Sequence, residues 1–190
     1  MDMTIRTLEI AGLVGTLSAL RLPFGKECRS DVEFNNSALN RSYFTESSVC
    51  IDERDLALMS TLVKRGDEHA KAIRGIMVWA EIDAPIYFYR ELETYRAGRE
   101  RLSCNSTMHQ QCKGLSGDEL VKAKAEMPMG TMQKTVDVYS YQCLRNIVKQ
   151  RHNHRLPEWK VFVDWVRTLP YAKELIFSGL DIDFDDDKEG

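Results

Sequence analysis

One apolar run constrains the fold of this chain more than any other feature of its sequence. Ile73–Ile82 reads IRGIMVWAEI and is followed by Asp83-Ala84-Pro85, a pattern typical of a buried strand that stops before a helix-opening proline. The imperfectly alternating run Thr4–Leu13 predicts a first strand. Two such strands among four or more amphipathic helices predict an α+β domain in which helices flank an antiparallel sheet.

Apolar residues repeat at helical spacing in several other segments. Asp52–Arg65 predicts a helix, because Asp52 can cap its start and Gly66 can end it. Met132–Gln150 predicts the longest helix, with apolar residues at spacings of three and four. Further helices are predicted over Leu13–Leu22, from Pro85 to Gly98, over Asp118–Glu126 and from Pro157 to Leu169.

Two polar stretches lack periodicity. Phe24–Val49 is rich in Asn and Ser and predicts a long loop. Asp181–Gly190, DIDFDDDKEG, predicts an acidic, disordered tail. We therefore expect residues 1–180 to form a single domain, which suits a chain of 190 residues that is 43% hydrophobic.

Composition excludes several classes of function. The net charge of −3 gives no reason to expect nucleic-acid binding. No apolar run approaches the roughly 18 residues that span a bilayer, and the start of the sequence has no basic region typical of a signal peptide. The five cysteines include no CxxC pair, so reduced thiols in a cytoplasmic protein are expected.

The segment Pro85–His109 holds the most distinctive side chains. It combines arginines with small hydroxyl and amide donors, which is the chemistry of a phosphate or nucleotide site. Nearby glutamates could pair with the arginines, so a charged surface helix is the alternative. The arginines are Arg90, Arg96, Arg99 and Arg101, the donors include Ser103 and Asn105, and the glutamates are Glu91, Glu93 and Glu100.

The segment QRHNHRL offers a second candidate site. His152 and His154 form an HxH pair that could chelate a metal, but no third ligand follows at a useful spacing, so we expect no metal site. A basic patch at a helix C-terminus is the better interpretation, and Arg151 could point into a shared cavity. The sequence contains no GxGxxG, P-loop or GxSxG motif.

The order of these elements resembles the flavin-dependent thymidylate synthases over about residues 50–168. That family has a Gly-His turn, a strand ending near Ala-Pro, an Arg-Gln pair, an Arg-His-Arg triplet and a Ser-x-Asn loop. Here the corresponding positions are Gly66 and His69, Ala84-Pro85, Arg90-Glu91, Thr94-Tyr95-Arg96 and Ser103-Cys104-Asn105. Residues 144–151, LRNIVKQR, resemble the family's helix that ends in a nucleotide-binding arginine. The triplet lacks its first arginine and its histidine, and the spacer from Arg96 to Ser103 is longer than in the family.

The resemblance implies flavin-dependent methylation of dUMP to dTMP in a homotetramer, in a divergent, phage-type branch. FAD would be the cofactor, with NADPH and methylene-tetrahydrofolate as co-substrates, and no protein nucleophile is required, so no catalytic residue is assigned. Nucleotide or phosphate contacts are expected from Arg90, Arg96, Ser103, Asn105 and Arg151, and cofactor contacts from His69, Tyr95 and Arg96. A non-catalytic nucleotide-binding or interaction protein and a different pyrimidine-modifying transferase are the alternatives.

Overall fold

A four-stranded antiparallel sheet organises the chain in a computed structural model that describes residues 2–27, 31–32 and 49–184. Its strands are β1 (Thr4–Ala11), β4 (Met77–Pro85), β5 (Arg99–Cys104) and β6 (Met132–Ser140), and a separate two-residue pairing joins β2 (Asp31–Val32) to β3 (Val49–Cys50). The strand order in the sheet is β1-β4-β6-β5, and every neighbouring pair is antiparallel. The predicted α+β class is confirmed.

Six α-helices accompany the sheet within the described residues. They are α1 (Leu13–Arg21), α2 (Glu53–Lys64), α3 (Ile86–Leu92), α4 (Gly117–Ala125), α5 (Tyr141–Arg151) and α6 (Pro157–Arg167). The predicted cap of α2 is confirmed, since the Asp52 carboxylate accepts a hydrogen bond from the Arg54 N–H at 2.9 Å. None of the described helices is long and apolar enough to cross a membrane.

The prediction of one helix over Met132–Gln150 is wrong in its first half. Residues 132–140 form β6, which pairs with β4 along its whole length and with β5 on its other side. Thr135, Asp137 and Tyr139 on one face are buried, and so are Val138 and Ser140 on the other, so the strand lacks the polar alternation that would have revealed it. Ser140 then caps α5, its Oγ accepting from the Cys143 N–H at 3.1 Å.

The arginine segment also differs from the predicted helix and loop. Helix α3 ends at Leu92 instead of continuing to Gly98, and the chain turns through Gly98 at a φ of 81°. Residues 99–104 form the edge strand β5, with an irregularity in its pairing between Arg101 and Ser103. Charged side chains are common on edge strands, where they discourage pairing with other chains.

The hydrophobic core joins the sheet to α2, α5 and α6. Its largest fully buried side chains include Trp159, Tyr139, Phe88 and Phe162. Ile182 and Phe184, from the segment assigned to the acidic tail, pack against this core, and the Phe184 ring lies 5.0 Å from that of Phe177. Residues 185–190, and residues 28–30 and 33–48 of the expected long loop, lie outside the described residues.

Candidate functional site

Arg151, at the end of α5, lies in a half-buried cluster where three helices meet. Its Nε donates to the Tyr95 hydroxyl at 2.7 Å, and its Nη1 donates to Glu91 Oε2 at 3.1 Å. The guanidinium carbon stands 4.8 Å from the centre of the Trp159 ring, within the range of a cation–π contact. The side chain is 20% exposed, so solvent or a ligand can reach it.

Glu91 is the shared acceptor of this cluster. Its Oε2 also accepts from the Trp159 Nε1–H at 2.9 Å and lies 3.5 Å from His154 Nε2. The Leu156 N–H donates to His154 Nδ1 at 3.2 Å, which places the proton of a neutral His154 on the nitrogen facing Glu91. Sequence reasoning offered Glu91 as a surface partner for the arginines and as the counterpart of the glutamine in the family's Arg-Gln pair; its role at the junction depends on tertiary packing.

Tyr95 takes part in this cluster as a buried residue, 9% exposed. Its hydroxyl accepts from Arg151 and lies 3.3 Å from Gln150 Oε1, so both of its hydrogen-bonding roles are used. Thr94 Oγ1 donates to the Glu91 carbonyl, and Arg96 Nε donates to the Glu93 carbonyl. Two of the three side chains at the triplet position, those of Thr94 and Arg96, therefore bond to the turn after α3, and the third, Tyr95, bonds to α5.

Ser103 and Asn105 lie at the opposite end of β5 from Arg96. Asn105 extends the sheet: its N–H donates to the Lys134 carbonyl at 2.8 Å, and its Oδ1 accepts from the Lys134 N–H at 3.0 Å. The six residues of β5 separate the two ends by about 20 Å at the usual rise of a strand. Within one chain, the structure thus separates Ser103 and Asn105 from the Arg151 cluster.

Arg99 and Arg101 belong to an ion-pair network around the buried Asp137 instead of an open anion site. Arg99 Nε donates to Asp137 Oδ2 at 2.8 Å, while Arg101 lies 2.7 Å from Glu93 and 3.5 Å from Asp137. The Tyr139 hydroxyl also donates to Asp137. Burial raises the pKa of Tyr139 well above its usual value, and the charge of Asp137 adds to this shift. Of the glutamates that could pair with these arginines, Glu93 contacts both of them.

A cavity of about 400 Å³ beside the Gly66 turn adds basic residues that sequence reasoning missed. Lys64, Arg145 and Lys149 line it together with Asp67 and Asp181; Gly66, His152, Gly179, Leu180 and Ile182 complete its wall. Arg145 is 4% exposed and donates through Nη1 to the carbonyls of Ile176 and Ser178. Burial lowers the pKa of Arg145, and its nearest carboxylate is 3.8 Å away.

Arg90, Arg96 and His69 all have exposed side chains. His69 precedes the 3-10 turn Ala70–Gly75, next to the strand β4. Arg90 and Arg96 flank the Glu91–Tyr95 pair in sequence. No group of three or more His, Cys, Asp or Glu side chains is placed to hold a metal ion in the part of the chain that the structure describes.

No family model and no curated protein sequence matches this chain, whereas solved structures do. Two structures of thymidylate synthase X (ThyX) from Helicobacter pylori with FAD and dUMP have TM-scores of 0.67 and 0.66 at 13% and 12% identity. Their alignments cover 95% and 93% of this chain, and 100% and 98% of theirs. This chain has the ThyX fold.

A third structure with this fold is the UMP/dUMP methylase PolB from Streptomyces cacaoi, bound with 5-Br UMP. Its TM-score is 0.59 at 11% identity, and the alignment covers 94% of this chain and 95% of PolB. The likeness to ThyX and PolB spans nearly the whole length of each protein. The predicted resemblance is therefore confirmed as a likeness of fold.

Proposed function

We propose that this chain binds a uridine nucleotide and methylates its pyrimidine ring, as a ThyX-like, flavin-dependent enzyme that converts dUMP to dTMP in the cytoplasm. The observation that carries the proposal is the nearly full-length likeness to ThyX and PolB, proteins solved with dUMP and 5-Br UMP. Fold alone leaves function open, so the proposal also depends on the side chains that line the candidate site.

Arg151 is the best-placed group for the nucleotide phosphate. Two neighbours fix its guanidinium, and no described residue accepts a hydrogen bond from Nη2. Arginine forks bind oxyanions through paired, charge-assisted hydrogen bonds. Arg90 and Arg96, which are exposed and directly flank Glu91 and Tyr95 in sequence, would add positive charge.

Ser103 and Asn105 would reach the same ligand from another copy of the chain. They lie at the far end of β5 from Arg96, so one subunit cannot bring all five proposed nucleotide contacts together. Ser103 is an exposed neutral donor on the edge strand β5, where a second chain has access to it. Asn105 follows that strand, and its Nδ2 donates to Gln110 within the chain, so a ligand would have to compete with Gln110 for this donor. This arrangement supports a homo-oligomer, and we propose a tetramer whose sites are shared between subunits.

The residues assigned to FAD fit it in part. His69 and Arg96 are exposed, and the cavity lined by Lys64, Arg145 and Lys149 supplies cations suited to the phosphates of a dinucleotide. Tyr95 does not fit, because it is buried and its hydroxyl is used within the chain. When bound, FAD with NADPH and methylene-tetrahydrofolate would supply the methyl-transfer chemistry. The chain itself would bind and orient the nucleotide and polarise its pyrimidine ring.

A non-catalytic nucleotide-binding protein on the same fold is the second candidate. The observation that favours it is Tyr95, which occupies the middle of the family's flavin-binding triplet and faces into the protein. A pyrimidine-modifying transferase with other one-carbon chemistry would share the nucleotide site.

Two measurements on the purified protein test the proposal. We expect a flavin absorption band and, by calorimetry, binding of dUMP; with NADPH and methylene-tetrahydrofolate, dTMP should form. A colourless protein that binds dUMP would support the second candidate. A flavoprotein that binds dUMP without forming dTMP would favour the other transferase. A protein that binds neither ligand would overturn all three.

A further inference from the structure

The Arg151 guanidinium is fixed on two sides and open on the third. Its Nε is used by Tyr95, and one N–H of Nη1 is used by Glu91. Its flat face lies against Trp159, whose side chain is completely buried. One N–H of Nη1 and both N–H groups of Nη2 remain, and paired guanidinium N–H groups bind oxyanions through parallel hydrogen bonds.

Glu91 accepts hydrogen bonds from both Arg151 and Trp159. It holds Arg151 at 3.1 Å and the Trp159 indole at 2.9 Å through the same oxygen. Arg151 comes from α5, Trp159 from α6 and Glu91 from α3, so one carboxylate ties three helices at this point. No other carboxylate of the described residues lies within ion-pair distance of Arg151.

We infer that Glu91 is a positioning residue for the nucleotide phosphate, acting through Arg151 and not by touching the ligand. This inference rests on the proposed function, since it takes the phosphate of dUMP as the anion that Arg151 binds. A free arginine side chain samples many rotamers, and fixing it before the ligand arrives removes that entropic cost from binding.

If Glu91 acts through its charge, its removal should tighten dUMP binding, whereas if it acts through its position, its displacement should weaken dUMP binding. A carboxylate near a phosphate repels it, so if charge alone mattered, removing the carboxylate would tighten binding. If position matters, then moving the carboxylate away from Arg151 weakens binding even though the charge is kept. Two conservative substitutions separate these effects, and both leave a polar group for the Trp159 N–H.

Glu91→Gln keeps the length and the acceptor and removes the charge. Glu91→Asp keeps the charge and shortens the side chain, so the contacts with Arg151 and Trp159 cannot both be kept. We expect Glu91→Gln to bind dUMP at least as tightly as the parent, and Glu91→Asp to bind it about three- to tenfold more weakly. Glu81→Ala, which removes a half-buried carboxylate of β4 paired with Arg6 and Lys134, is the matched control and should bind like the parent.

Two further measurements distinguish positioning from a general loss of structure. Deoxyuridine lacks the phosphate, so the parent and Glu91→Asp should bind it equally. Combining Glu91→Asp with Arg151→Ala should weaken dUMP binding no more than Arg151→Ala alone, because Glu91 acts through that arginine. Thermal unfolding checks that each variant is folded at the temperature of the calorimetry.

The outcomes separate this inference from the proposed function. If Arg151→Ala weakens dUMP binding while Glu91→Asp binds like the parent or more tightly, then the positioning role is wrong and the nucleotide site stands. If Glu91→Asp loses deoxyuridine binding as well, Glu91 is a general structural residue and the inference is also wrong. If the parent does not bind dUMP, or Arg151→Ala binds it unchanged, then the proposed site fails and the role of Glu91 fails with it.

Discussion

Arg99 and Asp137 form an ion pair within the sheet, from adjacent strands β5 and β6. Arg99 Nε lies 2.8 Å from Asp137 Oδ2, and the Arg99 Nη2 group contacts the same oxygen. The Asp137 side chain is completely buried, and that of Arg99 nearly so. Because water cannot solvate either charge, each depends on the other and on the Tyr139 hydroxyl.

Removing one partner of this pair should destabilise the protein strongly. Arg99→Ala leaves the Asp137 carboxylate buried without its main partner, and losses of about 3–5 kcal/mol are typical of such broken pairs. Glu100→Ala, the exposed neighbour on β5, should change the free energy of unfolding by less than about 0.5 kcal/mol. Urea unfolding followed by circular dichroism measures both, and equal stabilities would contradict the structural role of the pair.

Two buried tyrosines predict a loss of stability in alkali. Burial raises the pKa of Tyr89 and of Tyr139 above the ordinary value of 10.0. Below that pH the hydroxyl is protonated in both the folded and the unfolded protein, so its full contribution is present. Above it the unfolded chain loses the proton first, and the free energy of unfolding falls by about 1.4 kcal/mol per pH unit for each tyrosine until the folded pKa is reached.

Phenylalanine variants test the origin of this slope. Tyr89→Phe and Tyr139→Phe should each make the free energy of unfolding less dependent on pH above 10, whatever they do to stability at neutral pH. Urea unfolding at several pH values between neutral and strongly alkaline measures the slopes. A slope unchanged in both variants would show that other groups, such as lysines, cause the alkaline loss.

The sequence allowed much of the fold to be predicted, and the exceptions have a physical cause. The run Ile73–Ile82 and the capped helix after Asp52 carry strong local signals. By contrast, β6 is a central strand with both faces buried near its end, so its apolar spacing equally suits a helix. Asp137, a lone carboxylate in the apolar run VDVYS, was the available sign that this segment pairs with charged neighbours.

The candidate site was predictable only in part for a related reason. Residue types in Pro85–His109 indicated anion chemistry, but local sequence could not tell which arginines are buried. Arg99 is used by Asp137, from 38 residues further along the chain, whereas Arg151 is held by Glu91, 60 residues away. Such long-range contacts decide which arginine remains open to a ligand, and they leave no periodic trace in the sequence.

The two separated groups of proposed nucleotide contacts predict complementation between subunits. Arg151→Ala and Asn105→Ala proteins should each bind dUMP at least about tenfold more weakly than the parent. If each site takes Arg151 from one copy and Asn105 from another, mixing the two variants under conditions of subunit exchange should restore part of the tight binding. Calorimetry of the mixture measures this, and light scattering should give a mass above the 21.9 kDa of one chain. A monomer, or a mixture no better than its components, would contradict shared sites.

As the proposed FAD site, the basic cavity beside the Gly66 turn predicts which variants should lose FAD but still bind dUMP. Lys64 and Lys149 are exposed lysines on its wall, and reversing their charge should repel the phosphates of FAD while leaving the core intact. We expect Lys64→Glu and Lys149→Glu each to weaken FAD binding by about tenfold, more at low salt than at high salt, with dUMP binding unchanged. The control is Lys113→Glu, which changes the net charge equally at an exposed lysine that does not line the cavity and should bind FAD like the parent.

Flavin fluorescence during titration measures the affinities of the three variants for FAD. Equal losses in all three variants would indicate a general electrostatic effect, and dUMP binding lost together with FAD would mean that the cavity serves the nucleotide instead.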